Sequence, residues 1–354
     1  MSTRGPWLPQ RVLVTRSAMA WDHGRAIAAR AAALGIAVET LSSDRLALAL
    51  PDDPRRAYAA AKRTLAVTVA PPSKLRLQPI APSADWRVDL AEGCPAHCSY
   101  CYLAGSLKGP PITRVYANLP EIVATLPRYL GEGTITSRSA ARADEGTTYE
   151  ASCYTDPLAI EHLTGSLSML IAAFGRWQAP VQLRFTTKFD AVAPLLGLDH
   201  QGRTRMRASI NPAAFARFEG GTSPVAARLA ALAEMARAGY PVGLTIAPII
   251  AADGWQAAYG ELIAEAGAIL GAVPGVDCTI ELITHRYTPG SKAVLDGWYP
   301  GSGLEMGAAN RTEKRTKFGS VKYVYDAATM TALRGFFTAA IARDLPFARV
   351  LYWT

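Results

Sequence analysis

Gly93-Cys94-Pro95-Ala96-His97-Cys98-Ser99-Tyr100-Cys101-Tyr102 packs three of the chain's five cysteines into eight positions, directly after a segment that reads as a strand. Thiols this close, in a chain where no export signal is read, are explained by a soft metal or an iron-sulfur cluster rather than by disulfides. The spacing Cys94-x3-Cys98-x2-Cys101 is not the paired C-x2-C of zinc ribbons, and it offers three ligands where a closed structural zinc site takes four. Two readings stand at this point: an iron-sulfur cluster with one iron left open, or a Cys3His zinc site completed by His97.

Outward from that loop, strand-like and helix-like segments alternate, the signature of a parallel sheet with crossover helices. Strands are expected at 86–90, 147–152, 181–186, 205–210, 242–247 and 279–283, with helices between them. Ser223-Pro224, for instance, starts a helix that runs to about Arg237 and stops at Gly239. Six such strands make the fold class α/β, a partial (β/α)6 TIM-like barrel, whose functional groups belong at the C-terminal ends of the strands. The cysteine loop, Cys153-Tyr154-Thr155-Asp156, Lys188, Ser209-Ile210-Asn211, Ala247-Pro248 and His285-Arg286 all fall there. An N-cap role for Thr155 or Asp156 is the plain alternative at that one strand end.

Residues 1–80 read as a small N-terminal α/β lobe, 81–290 as the barrel, and 291–354 as a basic C-terminal substrate-binding extension that closes with a helix at 327–342 and a strand at 349–353. The extension carries Arg311-Thr312-Glu313-Lys314-Arg315-Thr316-Lys317-Phe318, followed by Lys322-Tyr323-Val324-Tyr325. A charge run is ordinarily a solvated face, but interleaved aromatics suit nucleic acid, since bases stack on rings while cations meet phosphate.

The composition agrees with a cored, basic protein: 354 residues, 50% hydrophobic and 19% charged, with a formal net charge of +8. That charge favours a polyanionic partner. No apolar run reaches the ~20 residues that span a bilayer, so a cytoplasmic protein with no membrane contact is expected. The chain has no Walker loop, GxSxG elbow, HExxH pair or dinucleotide fingerprint, which removes the commonest nucleotide, serine-hydrolase and zinc-protease readings. Cys278 reads as a buried strand residue.

The C-x3-C-x2-C loop resembles the radical S-adenosylmethionine superfamily, and the longer pattern resembles the spore photoproduct lyases within it. The carriers are 93–103, Arg114-Val115-Tyr116-Ala117-Asn118-Leu119, Glu150-Ala151-Ser152-Cys153-Tyr154-Thr155-Asp156 and Arg184-Phe185-Thr186-Thr187-Lys188. Further carriers are Ser209-Ile210-Asn211, Ala247-Pro248, Glu281-Leu282-Ile283-Thr284-His285-Arg286 and Lys322-Tyr323-Val324-Tyr325. The resemblance implies a [4Fe-4S] cluster on Cys94, Cys98 and Cys101, whose open iron takes the amino and carboxylate groups of S-adenosyl-L-methionine (AdoMet). It implies repair of the methylene-bridged thymine dimer in UV-damaged DNA: a 5′-deoxyadenosyl radical takes the hydrogen at C6, the bridge breaks, and a hydrogen returns to the product.

Under that resemblance Cys153 matches the thiol that gives the returning hydrogen, and Tyr100 and Tyr102 match tyrosines that relay it. Thr155, Asp156, Lys188, Ser209 and the backbone of Ala247 match cofactor-binding positions. Asp156, Lys317, Phe318 and Lys322 match lesion-binding ones. The family has an Arg-Tyr pair where this chain has Lys317-Phe318, so a planar fork and a phenol become a point charge and a bare ring. The family serine is Thr155 here, which keeps the hydroxyl. Implied partners are UV-damaged DNA and an electron donor such as flavodoxin or ferredoxin. Two other readings stay in view: the same radical chemistry on another nucleic-acid or small-molecule substrate, and a zinc-stabilised nucleic-acid-binding module without catalysis.

Overall fold

The computed structural model describes residues 5–106, 109–133, 135, 140–151, 153–307, 311–315 and 321–354. Its large sheet is a curled half-barrel of eight strands. From one edge to the other these are Arg349–Trp353, Cys278–Thr284, Val242–Ile249, Thr204–Ile210, Val181–Thr187, Thr147–Ala151, Ala84–Val88 and Gln78–Ile80. All neighbours pair in parallel except the last two, which form an antiparallel edge. The six expected strands are all present. The first lies at Ala84–Val88, two residues earlier than read, because its pairing to Thr147–Ala151 ends at Val88 and the chain then leaves for the second sheet.

Alternation within the strands sorts their residues. In Val181–Thr187, Val181, Leu183 and Phe185 join the apolar core, whereas Gln182, Arg184 and Thr186 take polar partners. Thr204–Ile210 repeats this, with Met206, Ala208 and Ile210 in the core, Arg207 in a buried ion pair with Glu150, and buried Arg205 reaching the half-exposed Asp277. Outside the sheet, the helices Ser166–Gly175, Val225–Arg237, Trp255–Gly271 and Ala327–Asp344 bury Leu170, Leu232, Ile263 and Phe337 in that same core. No single helix among the described residues is long and apolar enough to cross a membrane.

The small sheet runs Ala37–Thr40, Arg11–Val14, Thr64–Thr68, Thr113–Tyr116 and Ala91–Glu92. The expected divisions at 80 and 290 therefore cut across the sheets. Thr113–Tyr116 belongs to the lobe, since it pairs in parallel with Thr64–Thr68. Arg349–Trp353 belongs to the barrel, since it pairs with Cys278–Thr284. Within the described residues of the extension, Arg311–Arg315 and Val321–Tyr325 pair as an antiparallel hairpin, tied to the barrel side by a bridge between Tyr323 and Tyr287.

Candidate active site at the mouth of the barrel

The cysteine loop leaves the small sheet at Ala91–Glu92, returns to it at Thr113–Tyr116, and is pinned from three sides. Lys62, buried at the end of the helix Pro54–Lys62, donates through Nζ to the carbonyls of Cys94 and Ala96. His97–Cys98 pairs antiparallel with Glu219–Gly220, and the Ser99 amide donates to Phe218 O at 2.9 Å. Gly93 has φ +78°, and a Cβ there would lie 2.0 Å from the Ile112 carbonyl oxygen, so no other residue turns the chain at that point.

All five cysteines are free thiols. Burial pushes Cys94 up to about 11, against the Lys62 ammonium, and raises Cys98 and Cys101 as well. Metal binding would therefore release protons from this loop. Among the described residues no three Cys, His, Asp or Glu side chains converge as ligands of one ion do. Thiolates that each take a different iron of a cluster have no need to converge in that way. His97 has a packing explanation: its Nδ1 lies 3.2 Å from the Tyr58 hydroxyl, and its ring lies against Gly221, where a Cβ would come within 3.0 Å of Cδ2. Burial and the nearby Lys62 and Arg63 cations lower its pKa to about 4, leaving the ring neutral.

Beyond the loop, polar groups from five strand ends meet. Lys188 follows Val181–Thr187, and its Nζ donates to Glu219 Oε1 at 2.7 Å and to Ala247 O at 3.3 Å. That carbonyl also accepts from Ser209 Oγ at 3.4 Å and Asn211 Nδ2 at 3.2 Å. Glu219 further accepts from the Tyr100 hydroxyl and pairs with Arg228 at 2.6 Å. Burial alone would raise its pKa, but Lys188 and Arg228 outweigh that and hold it at about 2. Asp156 accepts from the Lys188 amide and Thr187 Oγ1, each at 2.7 Å, and from the Ala159 amide at 3.2 Å. Its carboxylate thus organises this strand end. Thr155 Oγ1 is buried with no hydrogen-bond partner among the described residues, so a ligand hydroxyl or carboxylate could satisfy it.

Cys153 sits just past Thr147–Ala151, and its carbonyl accepts from the Tyr102 hydroxyl. Tyr102 is 67% exposed yet bonded across the gap, as a residue lining an open cleft would be. Burial, then the charges of Glu150 and Asp89, push the Cys153 thiol well above its ordinary range, so it carries its proton at neutral pH. Beneath it lies a charged layer with one residue per strand. Arg207 pairs with both Glu150 and Glu281, Arg184 pairs with Glu281 at 2.7 Å, and Tyr352 donates to Glu281 at 2.9 Å. Ser83 Oγ accepts from Arg207 at 2.8 Å and bonds Glu150 at 3.0 Å.

Lys322 lies on the hairpin opposite Lys314, and burial together with Arg286 and Lys314 lowers its pKa. Lys317 and Phe318 lie outside the described residues. Sequence reading overlooked Glu219, Arg228 and Lys62. Only the Glu-Gly-Gly step at Glu219 offered a signal, since it places an acid beside two residues that permit close backbone approach.

The family model described as "Spore photoproduct lyase" matches residues 7–354. Spore photoproduct lyase of Geobacillus sp. (strain Y412MC61) is 36% identical over 351 residues, covering 99% of each chain. That of Bacillus subtilis (strain 168) is 35% identical over 353 residues, covering 99% of this chain and 100% of the other. A solved spore photoproduct lyase double mutant with bound AdoMet and dinucleoside spore photoproduct superposes with a TM-score of 0.90 at 35% identity, covering 99% of this chain and 100% of that one. A spore photoproduct lyase complexed with dinucleoside spore photoproduct gives 0.89 at the same identity and coverage. With a cysteine loop, a lysine-lined strand end and a protonated thiol at one barrel mouth, and likeness along nearly its whole length, the chain belongs to the spore photoproduct lyase family.

Proposed function

We propose that this protein repairs the spore photoproduct, the methylene-bridged thymine dimer, in UV-damaged DNA as a radical AdoMet C–C lyase. The observation that carries this is Cys153, a thiol kept protonated at a barrel strand end and tied through its carbonyl to Tyr102 of the cysteine loop. Cys94, Cys98 and Cys101 would hold a [4Fe-4S] cluster, their three thiolates leaving one iron open. Lys188, Ser209, Thr155 and the Ala247 backbone would hold AdoMet, and the unpartnered Thr155 hydroxyl fits that role. When bound, the cluster and AdoMet supply the electron and the hydrogen-abstracting radical.

The chain's own residues do the rest. Lys188 offers an ammonium to a carboxylate while Glu219 and the Ala247 carbonyl hold its other hydrogens. Glu219 fixes the direction of the Tyr100 O–H. Cys153 keeps an S–H bond weak enough to give up a hydrogen atom, and Tyr100 and Tyr102 stand on the loop side of it to pass one back. Lys314 and Lys322, with Lys317 and Phe318, would meet the DNA, and a small electron-transfer protein such as flavodoxin or ferredoxin would reduce the cluster.

The test is anaerobic turnover of dinucleoside spore photoproduct by Cys153→Ala with excess AdoMet. AdoMet cleavage should persist while clean thymine product falls and trapped, abnormal products appear. Clean thymine at the wild-type rate would overturn the assignment.

A further inference from the structure

Tyr154 directly follows Cys153 and has no part in the chemistry above. Two cations contact its ring, the Arg87 guanidinium 4.5 Å and the Lys74 ammonium 5.2 Å from its centroid. Arg87 also donates through Nη1 to the Tyr154 hydroxyl at 3.0 Å. Both cations are anchored in turn. Arg87 Nε lies 3.0 Å from Asp89 Oδ1, Lys74 Nζ lies 3.1 Å from Asp89 Oδ2, and Lys74 also pairs with Glu92. Glu92 stands two residues before Cys94.

Contacts therefore run from Cys153 through Tyr154 and Lys74 to the start of the cysteine loop, while Tyr102 reaches back from that loop to the Cys153 carbonyl. The turn carrying the thiol is held on both sides by the loop. Two cations and two carboxylates leave the cluster without net charge, so it is poorly suited to attract phosphate. Two cations against one ring constrain that ring's plane and place.

We propose that Tyr154, held by Arg87 and Lys74, is a positioning residue that fixes the Cys153 thiol relative to the cysteine loop. The proposal rests on Cys153 being the hydrogen donor, a reaction that tolerates little displacement: misplacement by about 1 Å can cost ~100-fold in rate.

The experiment uses cluster-loaded full-length protein with Tyr154→Ala, which leaves every charge in place, and Tyr154→Phe, which keeps the ring against the cations. Alkylation of Cys153 by iodoacetamide is followed by mass spectrometry, with buried Cys278 as internal reference, and needs no turnover. Tyr154→Ala should speed alkylation at least about fivefold and cut the clean-thymine fraction from dinucleoside spore photoproduct by a similar factor. Iron content and AdoMet affinity should stay within about twofold, and Tyr154→Phe should recover most of both readouts. Alkylation and product distribution both within twofold of wild type in Tyr154→Ala would overturn the proposal, as would a parallel loss of iron and AdoMet binding. The donor role is tested separately by Cys153→Ala, whose failure would leave the alkylation result standing.

Discussion

Replacing Arg207 with methionine removes the cation that sits between Glu150 and Glu281. Glu281 would then keep Arg184 as its one paired cation, with the Tyr352 and Thr245 hydroxyls, and Glu150 would keep the hydroxyls of Ser83 and Thr186 among the described residues. Breaking a buried pair from one side costs about 3–5 kcal/mol, because a carboxylate is left in the interior without its counter-ion. At about 2.1 cal/mol/K per residue, unfolding 354 residues as one unit carries roughly 0.74 kcal/mol/K of entropy, so Tm should fall by about 4–7 °C.

The sign of the pH dependence follows from the same carboxylates. Burial would raise Glu281, but Arg207 and Arg184 outweigh it and hold its pKa below the ordinary value of 4.5. Its contribution in the wild type is thus present above that value and lost as pH falls through the lower folded one. Glu150 is already raised by burial despite Arg207, and losing that cation would raise it further. The folded variant then prefers the protonated acid, so it regains stability as pH falls from neutrality toward about 4.3. Scanning calorimetry of wild type and Arg207→Met at about pH 7.5 and pH 5.5 should show a Tm gap that narrows on acidification. A gap under about 1 °C at the higher pH, or one that widens at the lower, would refute the reasoning.

Cys94→Ala, Cys98→Ala or Cys101→Ala should each abolish iron and sulfide in anaerobically reconstituted protein, whereas His97→Ala should retain both, since its Nδ1 already faces Tyr58. Lys188→Met should weaken AdoMet binding by about 10–150-fold in calorimetric titration, the value of a lost hydrogen bond to a charged group. On duplex DNA, Lys314→Ala and Lys322→Ala should each lower the slope of log K against log salt by about 0.9, and an unchanged slope would return the hairpin to a solvated face.

Most of the barrel was legible because its strands announce themselves by length and by the apolar residues at alternate positions. Val181, Leu183 and Phe185 alternate with Gln182, Arg184 and Thr186 directly after Pro180, the pattern of a strand with one apolar face. The intervening charges were the harder half. Arg184, Arg207, Glu150 and Glu281 look like surface residues on composition, and only pairing four strands in register shows that they neutralise one another inside. The cysteine loop was legible from spacing, whereas Lys62 was not. A lysine ending an alanine-rich helix reads as solvated until the fold places two loop carbonyls against its Nζ. The role of Glu219 depends likewise on Tyr100, Lys188 and Arg228 arriving from distant segments.

The seating of the cysteine loop between two strands of the small sheet, Ala91–Glu92 and Thr113–Tyr116, limits how this architecture can be dissected. Thr113–Tyr116 lies downstream of the loop yet completes the sheet that Arg11–Val14 and Thr64–Thr68 begin. A shortened chain beginning near Ser83 would keep every barrel strand from Ala84–Val88 onward, but it would strip the Thr64–Thr68 partner from Thr113–Tyr116. The bare backbone left on that side is a template for pairing with another molecule, so such a fragment should self-associate through it. The lobe is better regarded as the cover of an aggregation-prone edge than as a detachable module, and swapping it between relatives would require exchanging 113–116 along with it.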